Sequence, residues 1–180
     1  MHGPLWRFLG YTLLTVFGLT PRPVSDHTYP ESAYRQSLQA YVFFDTECPI
    51  CQKTTQRVQQ LADQYAGRVY FEAVYPTETA TLAEVKTFER MFRLTIPHRL
   101  DPTHKIVKQY DVTTTPEVVL ISDQHKILYR GSVDDQFYRL GRYRPAPTAF
   151  YLKDAIDATL SGKPVAVSQT TPTGCLINRD

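Results

Sequence analysis

Four short apolar runs punctuate residues 40–162, and the stretches between them place apolar side chains every three to four positions. Ala40–Phe44 (AYVFF), Val69–Tyr75 (VYFEAVY), Glu117–Ser122 (EVVLIS) and Lys126–Tyr129 (KILY) read as strands. Ile50–Tyr65 carries Val58, Leu61, Ala62 and Tyr65 on one helical face and stops at Gly67. Thr79–Leu94 is a second helix with Leu82, Val85, Phe88, Glu89 and Phe92 in register. Pro102–Tyr110 is a short third, and Thr148–Ser161 an amphipathic fourth. Between them lie expected loops at Pro97–Asp101 and Gln136–Pro147, and turns at Asp111–Thr115 and Asp123–His125. The order β-α-β-α-α-β-β-α implies an α/β fold. Strands alternating with helices build a parallel sheet, and the 117–130 hairpin adds an antiparallel edge.

Length and charge narrow the class. A chain of 180 residues is a prior of one domain. Twenty basic and 18 acidic residues leave a net charge of +2, too balanced for a dedicated nucleic-acid binder. At the amino end, Arg7 precedes an uncharged, mostly apolar run, Phe8–Leu19, followed by Thr20-Pro21-Arg22-Pro23. That pattern fits a signal peptide or retained anchor over 1–25, with the buried amphipathic helix as the alternative. The run falls short of the roughly 18–20 apolar residues that span a bilayer comfortably. The expected plan is a leader (1–25), a polar lead-in (26–39), one domain (40–162) and a tail (163–180). Export would place the protein in the periplasm, free or anchored facing it, where thiols oxidise.

The chemistry gathers at Asp45-Thr46-Glu47-Cys48-Pro49-Ile50-Cys51, between the first strand and the first helix. Capping residues and then Pro49 mark a helix start. Unpaired N–H groups there act as roughly half a positive charge, which holds a nearby cysteine partly as thiolate. Cys48 at the helix mouth is the expected attacking thiol. Cys51, three residues on, shares its face and is the expected resolving thiol. Asp45 and Glu47 oppose the thiolate, so a middling or reducing pair is expected rather than a strong oxidant. A static disulfide or half a zinc site is the bland alternative. Zinc would need a second pair, and Cys175 stands alone among scattered histidines. No metal and no cofactor is therefore expected.

CxxC opening a helix, followed downstream by Thr115-Pro116 in TTTPEVVLI, resembles the thioredoxin-like superfamily. YVFFDTECPIC, YRGSVDD at 129–135 and GCLI at 174–177 look most like exported redoxin-domain proteins. These belong to the branch shared by alkyl hydroperoxide reductase/thiol-specific antioxidant proteins and TlpA-type thiol-disulfide oxidoreductases. The resemblance covers about residues 38–177 and implies a thioredoxin-like fold: a central mixed sheet, flanking helices, a C-terminal hairpin and a last helix. It implies a cis Thr115–Pro116 peptide facing the thiols, with the Thr115 backbone open to a substrate strand. The chain departs from WCGPC, and Thr46 does not stand where the peroxiredoxin PxxxTxxC pattern needs it.

Three functions follow from these residues. The first is disulfide exchange through Cys48 and Cys51, with protein thiols or disulfides, or an upstream thiol reductant, as partners. The second is peroxide reduction at Cys48. The third is copper delivery by the thiols with His98 or His104. Cys175, beside Gly174 and apolar Leu176-Ile177, is a further candidate thiol: resolving, partner-binding, metal-ligating or inert. The apolar flank suggests that the tail packs back on the domain. Arg139, Arg142 and Arg144 with Tyr138 and Tyr143 read as a solvated basic loop, and Asp134 and Asp135 as turn or capping residues. No nucleic acid is expected, and membrane contact only through the first segment.

Overall fold

A computed structural model describes residues 38–179. The leader expected over 1–25 and the lead-in up to residue 37 lie outside the described residues. Leu38 and Gln39 are not lead-in. They begin β1 (Leu38–Phe43), whose six residues are all buried.

β1 is paired on both edges and covered on both faces, which is why it is apolar apart from Gln39. It pairs in parallel with β2 (Val69–Tyr75) and antiparallel with β5 (Glu117–Ser122). The sheet order is β3-β2-β1-β5-β6, with β3 at His98–Leu100 and β6 at Ile127–Gly131. Side chains alternate between two cores. Leu38, Ala40 and Val42 join α1 (Pro49–Gln64), α2 (Leu82–Phe92) and α4 (Tyr151–Leu160) through Val58, Leu61, Val85, Phe88, Leu152 and Ile156. Tyr41 and Phe43 join α3 (Lys105–Tyr110) on the opposite face through Ile106, Val107 and Tyr110. The result is a mixed sheet with helices on both faces, so the fold class read from the chain holds.

Three expected connections carry strands instead. Pro97–Asp101 contains β3, which pairs with Ala73–Tyr75. Asp111–Thr115 contains β4 (Thr114–Thr115), and the basic loop at 136–147 contains the β7–β8 hairpin (Phe137–Arg139 with Arg142–Tyr143). All are two or three residues long. Such strands are held by backbone pairing, so their side chains carry no period to read. In the hairpin, Arg144 lies 4.8 Å over the Tyr138 ring and pairs with Asp135 at 3.4 Å. Asp135 accepts from Thr148 N and Ala149 N ahead of α4. Asp134 is buried against Arg57 at 2.6 Å.

The tail packs on the sheet edge and then on the site. Arg130 N donates to Ser168 O, and Thr170 N donates back to Arg130 O, both at 3.0 Å. The Thr170 hydroxyl accepts from Ser132 N at 2.9 Å and lies 2.7 Å from the Tyr129 hydroxyl. Gly131 makes this approach possible: its φ is 134°, and a Cβ there would overlap the Thr170 hydroxyl and carbonyl. The chain ends with β9 (Cys175–Leu176), antiparallel to β4.

Candidate functional site

β1 delivers the chain to the mouth of α1. Asp45 O accepts from Cys48 N at 3.3 Å, and the Asp45 carboxylate accepts from Glu47 N at 2.9 Å, closing the turn. Thr46 contributes its carbonyl, which accepts from the Gln52 side chain at 3.0 Å. Cys48 is the N-cap of α1, with extended backbone (φ −74°, ψ 116°) and no capping side-chain bond. Pro49 follows in the first turn, where its missing N–H costs nothing. Glu47 and Pro49 are exposed. Half-buried Ile50 shares a crevice with Pro116 and Thr173.

Cys48 Sγ is bonded to Cys175 Sγ, 127 residues away, with the two Cα atoms 6.2 Å apart. Cys51 is a free, fully buried thiol. The expected i,i+3 pair is therefore not the disulfide present, and Cys175 is the partner. Cys51 faces the same neighbourhood all the same. Its sulfur accepts from Asp45 N at 3.4 Å. Burial pushes its thiol up to about 12, only partly offset by hydrogen bonds from the Asp45 backbone and the Thr115 hydroxyl. A thiol so placed stays protonated at neutral pH.

The third side is the loop before β5. The Thr115–Pro116 peptide is cis. The Thr115 carbonyl oxygen lies 3.5 Å from Cys48 Sγ. The Thr115 backbone is occupied: it pairs with Cys175, Thr114 pairs with Leu176, and Ile177 N donates to Thr113 O at 2.9 Å. Gly174 crosses Thr115 so closely that a Cβ would overlap its carbonyl. Buried Glu117 accepts from Thr113 N at 3.2 Å and holds the loop from beneath. Burial raises the pKa of this carboxyl, opposed by the Thr113 N–H and then by Arg130. Arg130 links Glu117 (3.6 Å) to Asp111 (3.8 Å), and Asp111 pairs with Arg179 at 3.0 Å.

A cleft beside the thiols is lined by Asp45, Glu78, His104, Thr115 and Ile177, among others. His104 is buried and spends Nε2 on Pro76 O at 2.7 Å, while His98 pairs with Glu89 at 3.1 Å. Among the described residues no group of three His, Cys, Asp or Glu side chains could hold a metal ion. The copper expectation therefore finds no histidine gathered with the cysteines.

The redoxin family model matches residues 27–139. The chain belongs to the redoxin family. Its fold is thioredoxin-like, and oxidoreductase chemistry goes with that family. A crystal structure of a hypothetical protein from Sinorhizobium meliloti matches with TM-score 0.70 at 23% identity, over 81% of each chain. An uncharacterized conserved protein from Geobacillus kaustophilus matches with TM-score 0.67 at 24% identity, over 79% of this chain and 77% of that one. A secreted Mycobacterium tuberculosis disulfide oxidoreductase matches with TM-score 0.50 at 17% identity, over 71% of this redoxin and 85% of that chain. No curated protein matches.

Sequence reasoning missed Glu117, Thr113 and Arg130 as supports of the loop. Their one signal was charge inside an otherwise apolar strand, since Glu opens EVVLIS. The partnership of Cys48 with Cys175 depends on a fold that brings together two points 127 residues apart.

Proposed function

We propose that this redoxin is a thiol-disulfide oxidoreductase in which Cys48 exchanges disulfides with protein or small thiol partners, Cys51 resolves, and Cys175 stores the oxidised state. The carrying observation is the Cys48–Cys175 disulfide at the N-terminus of α1, one helical turn from the free thiol of Cys51.

A reductant thiolate attacks Cys175 Sγ, the more accessible sulfur. The Cys48–Cys175 bond breaks, Cys48 leaves as a thiolate favoured by the helix N-terminus, and a second reductant thiolate attacks the reductant sulfur now held on Cys175, so that the reductant departs as a disulfide and Cys175 as a thiolate. Cys48 then attacks a substrate disulfide and holds one half as a mixed disulfide, while the other half departs as a thiol. Cys51 loses its proton and attacks Cys48 Sγ, releasing the second substrate thiol and forming Cys48–Cys51. Cys175 thiolate attacks Cys48 in turn, Cys51 departs and regains a proton, and the resting disulfide returns. Each turn moves two electrons from the reductant to the substrate disulfide. The apolar run at 8–19 and the secreted structural neighbour support an exported setting for this chemistry.

The test is insulin disulfide reduction together with trapping. Cys48→Ser abolishes turnover, and Cys51→Ser/Cys175→Ser, which leaves no second thiol to resolve, accumulates mixed disulfides at Cys48, read by mass spectrometry. Wild-type turnover in Cys48→Ser refutes the reading. Oxidation of Cys48 by peroxide at rates far above a free thiol's, without disulfide turnover, replaces it with thiol peroxidase chemistry.

A further inference from the structure

The last residues of the described chain treat the site as a bound peptide would. Cys175 bonds to Cys48 and pairs antiparallel with Thr115, and Leu176 pairs with Thr114. Ile177 N donates to Thr113 O and its side chain packs against the α3-side core. The three positions around the cysteine are read unequally. Before it, Gly174 leaves no room for a Cβ against the Thr115 carbonyl and the Pro116 ring. After it, Leu176 is 85% exposed and makes no demand beyond its backbone. At the next position, Ile177 is held by both its N–H and its side chain. Arg179 closes the segment on Asp111.

We propose that Gly174–Ile177 is a tethered substrate: it fills the groove used by incoming cysteine peptides, and its contacts give the groove's preference. The preferred segment is extended, with glycine immediately before the cysteine, any residue after it and an apolar residue at the second position beyond. The inference deepens the exchange reading of Cys48 and rests on it. A free peptide enters only when the tail strand leaves. Its sulfur then takes the place of Cys175 Sγ on Cys48, and Cys175 departs as thiolate or is already reduced.

The selectivity is tested in full-length Cys51→Ser/Cys175→Ser, whose Cys48 is a lone reduced thiol. Peptides are supplied as mixed disulfides with thionitrobenzoate. Cys48 thiolate attacks the peptide sulfur, the Cys48–peptide bond forms, and coloured thionitrobenzoate leaves with the electron pair. Mass spectrometry identifies the adduct. Thr-Gly-Cys-Leu-Ile is captured about tenfold faster than Thr-Ala-Cys-Leu-Ile, a typical consequence of forcing one extra methyl into a filled site. Changing Leu to Asp leaves the rate nearly unchanged, whereas changing Ile to Asp slows it. Equal rates for all four peptides overturn the tethered-substrate inference and leave exchange intact. No adduct at Cys48 with any peptide overturns both. In the otherwise native chain, Gly174→Ala weakens the Cys48–Cys175 disulfide against glutathione by about tenfold on the same steric ground. An unchanged equilibrium there also overturns the inference.

Discussion

The two sulfurs that compete for Cys48 come from opposite environments. Cys51 belongs to a 16-residue helix, is fully buried in the main core, and is held as a thiol by desolvation. Cys175 belongs to a two-residue strand on the surface, next to an almost fully exposed Leu176. One is positioned by packing and costs a deprotonation to use. The other is positioned by a few backbone hydrogen bonds at the protein surface. A disulfide relay gains from that asymmetry. In the proposed exchange, the buried thiol would wait protonated until a mixed disulfide forms one turn away, and the surface thiol would return the pair to a resting state that leaves Cys51 protected.

The sharpest way to break this contrast is chemical. In the reduced protein at mildly alkaline pH, iodoacetamide should modify Cys175 on the order of a thousandfold faster than Cys51. Raising the Cys51 thiol from its ordinary 9.0 to about 12 by itself cuts the Cys51 thiolate fraction by on the order of a thousandfold, and burial shields it further from the reagent. Peptide mass mapping over a time course reads both rates. Comparable labelling of the two in the folded protein would remove the basis of the contrast.

A second variant asks whether the tail is as lightly held at its root as at its tip. Gly131→Ala pushes a methyl into Thr170, whose hydroxyl is also bonded to Ser132 N and in contact with the Tyr129 hydroxyl. The expected loss is about 2–3 kcal/mol in denaturant unfolding, from overpacking together with a backbone angle unfavourable to any Cβ. Reduction of Cys48–Cys175 by dithiothreitol should quicken as the tail loosens. Unchanged stability and an unchanged reduction rate would mean that the 168–170 segment does not anchor the tail.

What the chain discloses in advance follows the same division. Elements built by packing announce themselves: β1, β2 and β5 are apolar because they are covered, and α1, α2 and α4 carry a stripe because one face is buried. Boundaries set by capping were readable but misplaced. Thr81 and Glu84 form a reciprocal capping box that starts α2 at Leu82, three residues past the expected Thr79. Elements built only by backbone pairing, β3, β4 and β9, left no period to find. The CxxC and Thr-Pro step pointed to residues that the fold brings together, and Gly174 with Leu176-Ile177 hinted that the tail returns. The disulfide itself lay beyond local reading, because the competition between Cys51 and Cys175 is decided by tertiary placement.

The subtlest handle is Glu117, which supports the very loop that the tail strand pairs with. Its carboxyl is buried and its pKa is raised, so the folded state binds this proton more tightly than the unfolded chain does. The sign follows by linkage. The contribution to stability is fully present below the ordinary glutamate pKa and is lost as pH rises through the higher folded value. Glu89 and Asp134 are raised by burial too, so the wild-type slope alone assigns nothing. The difference between wild type and Glu117→Gln does. Glutamine keeps one acceptor for Thr113 N and gives up the charge facing Arg130 at 3.6 Å. Net stability at neutral pH should change by only on the order of 1 kcal/mol, in line with one altered hydrogen bond. The decline of stability from acid to neutral pH should be shallower in the variant, as read by denaturant midpoints across that range. Parallel profiles would show that Glu117 does not titrate in that range. A steeper decline in the variant would reverse the assigned sign and leave Arg130, with its link through Asp111 to Arg179, as the dominant influence on the carboxyl.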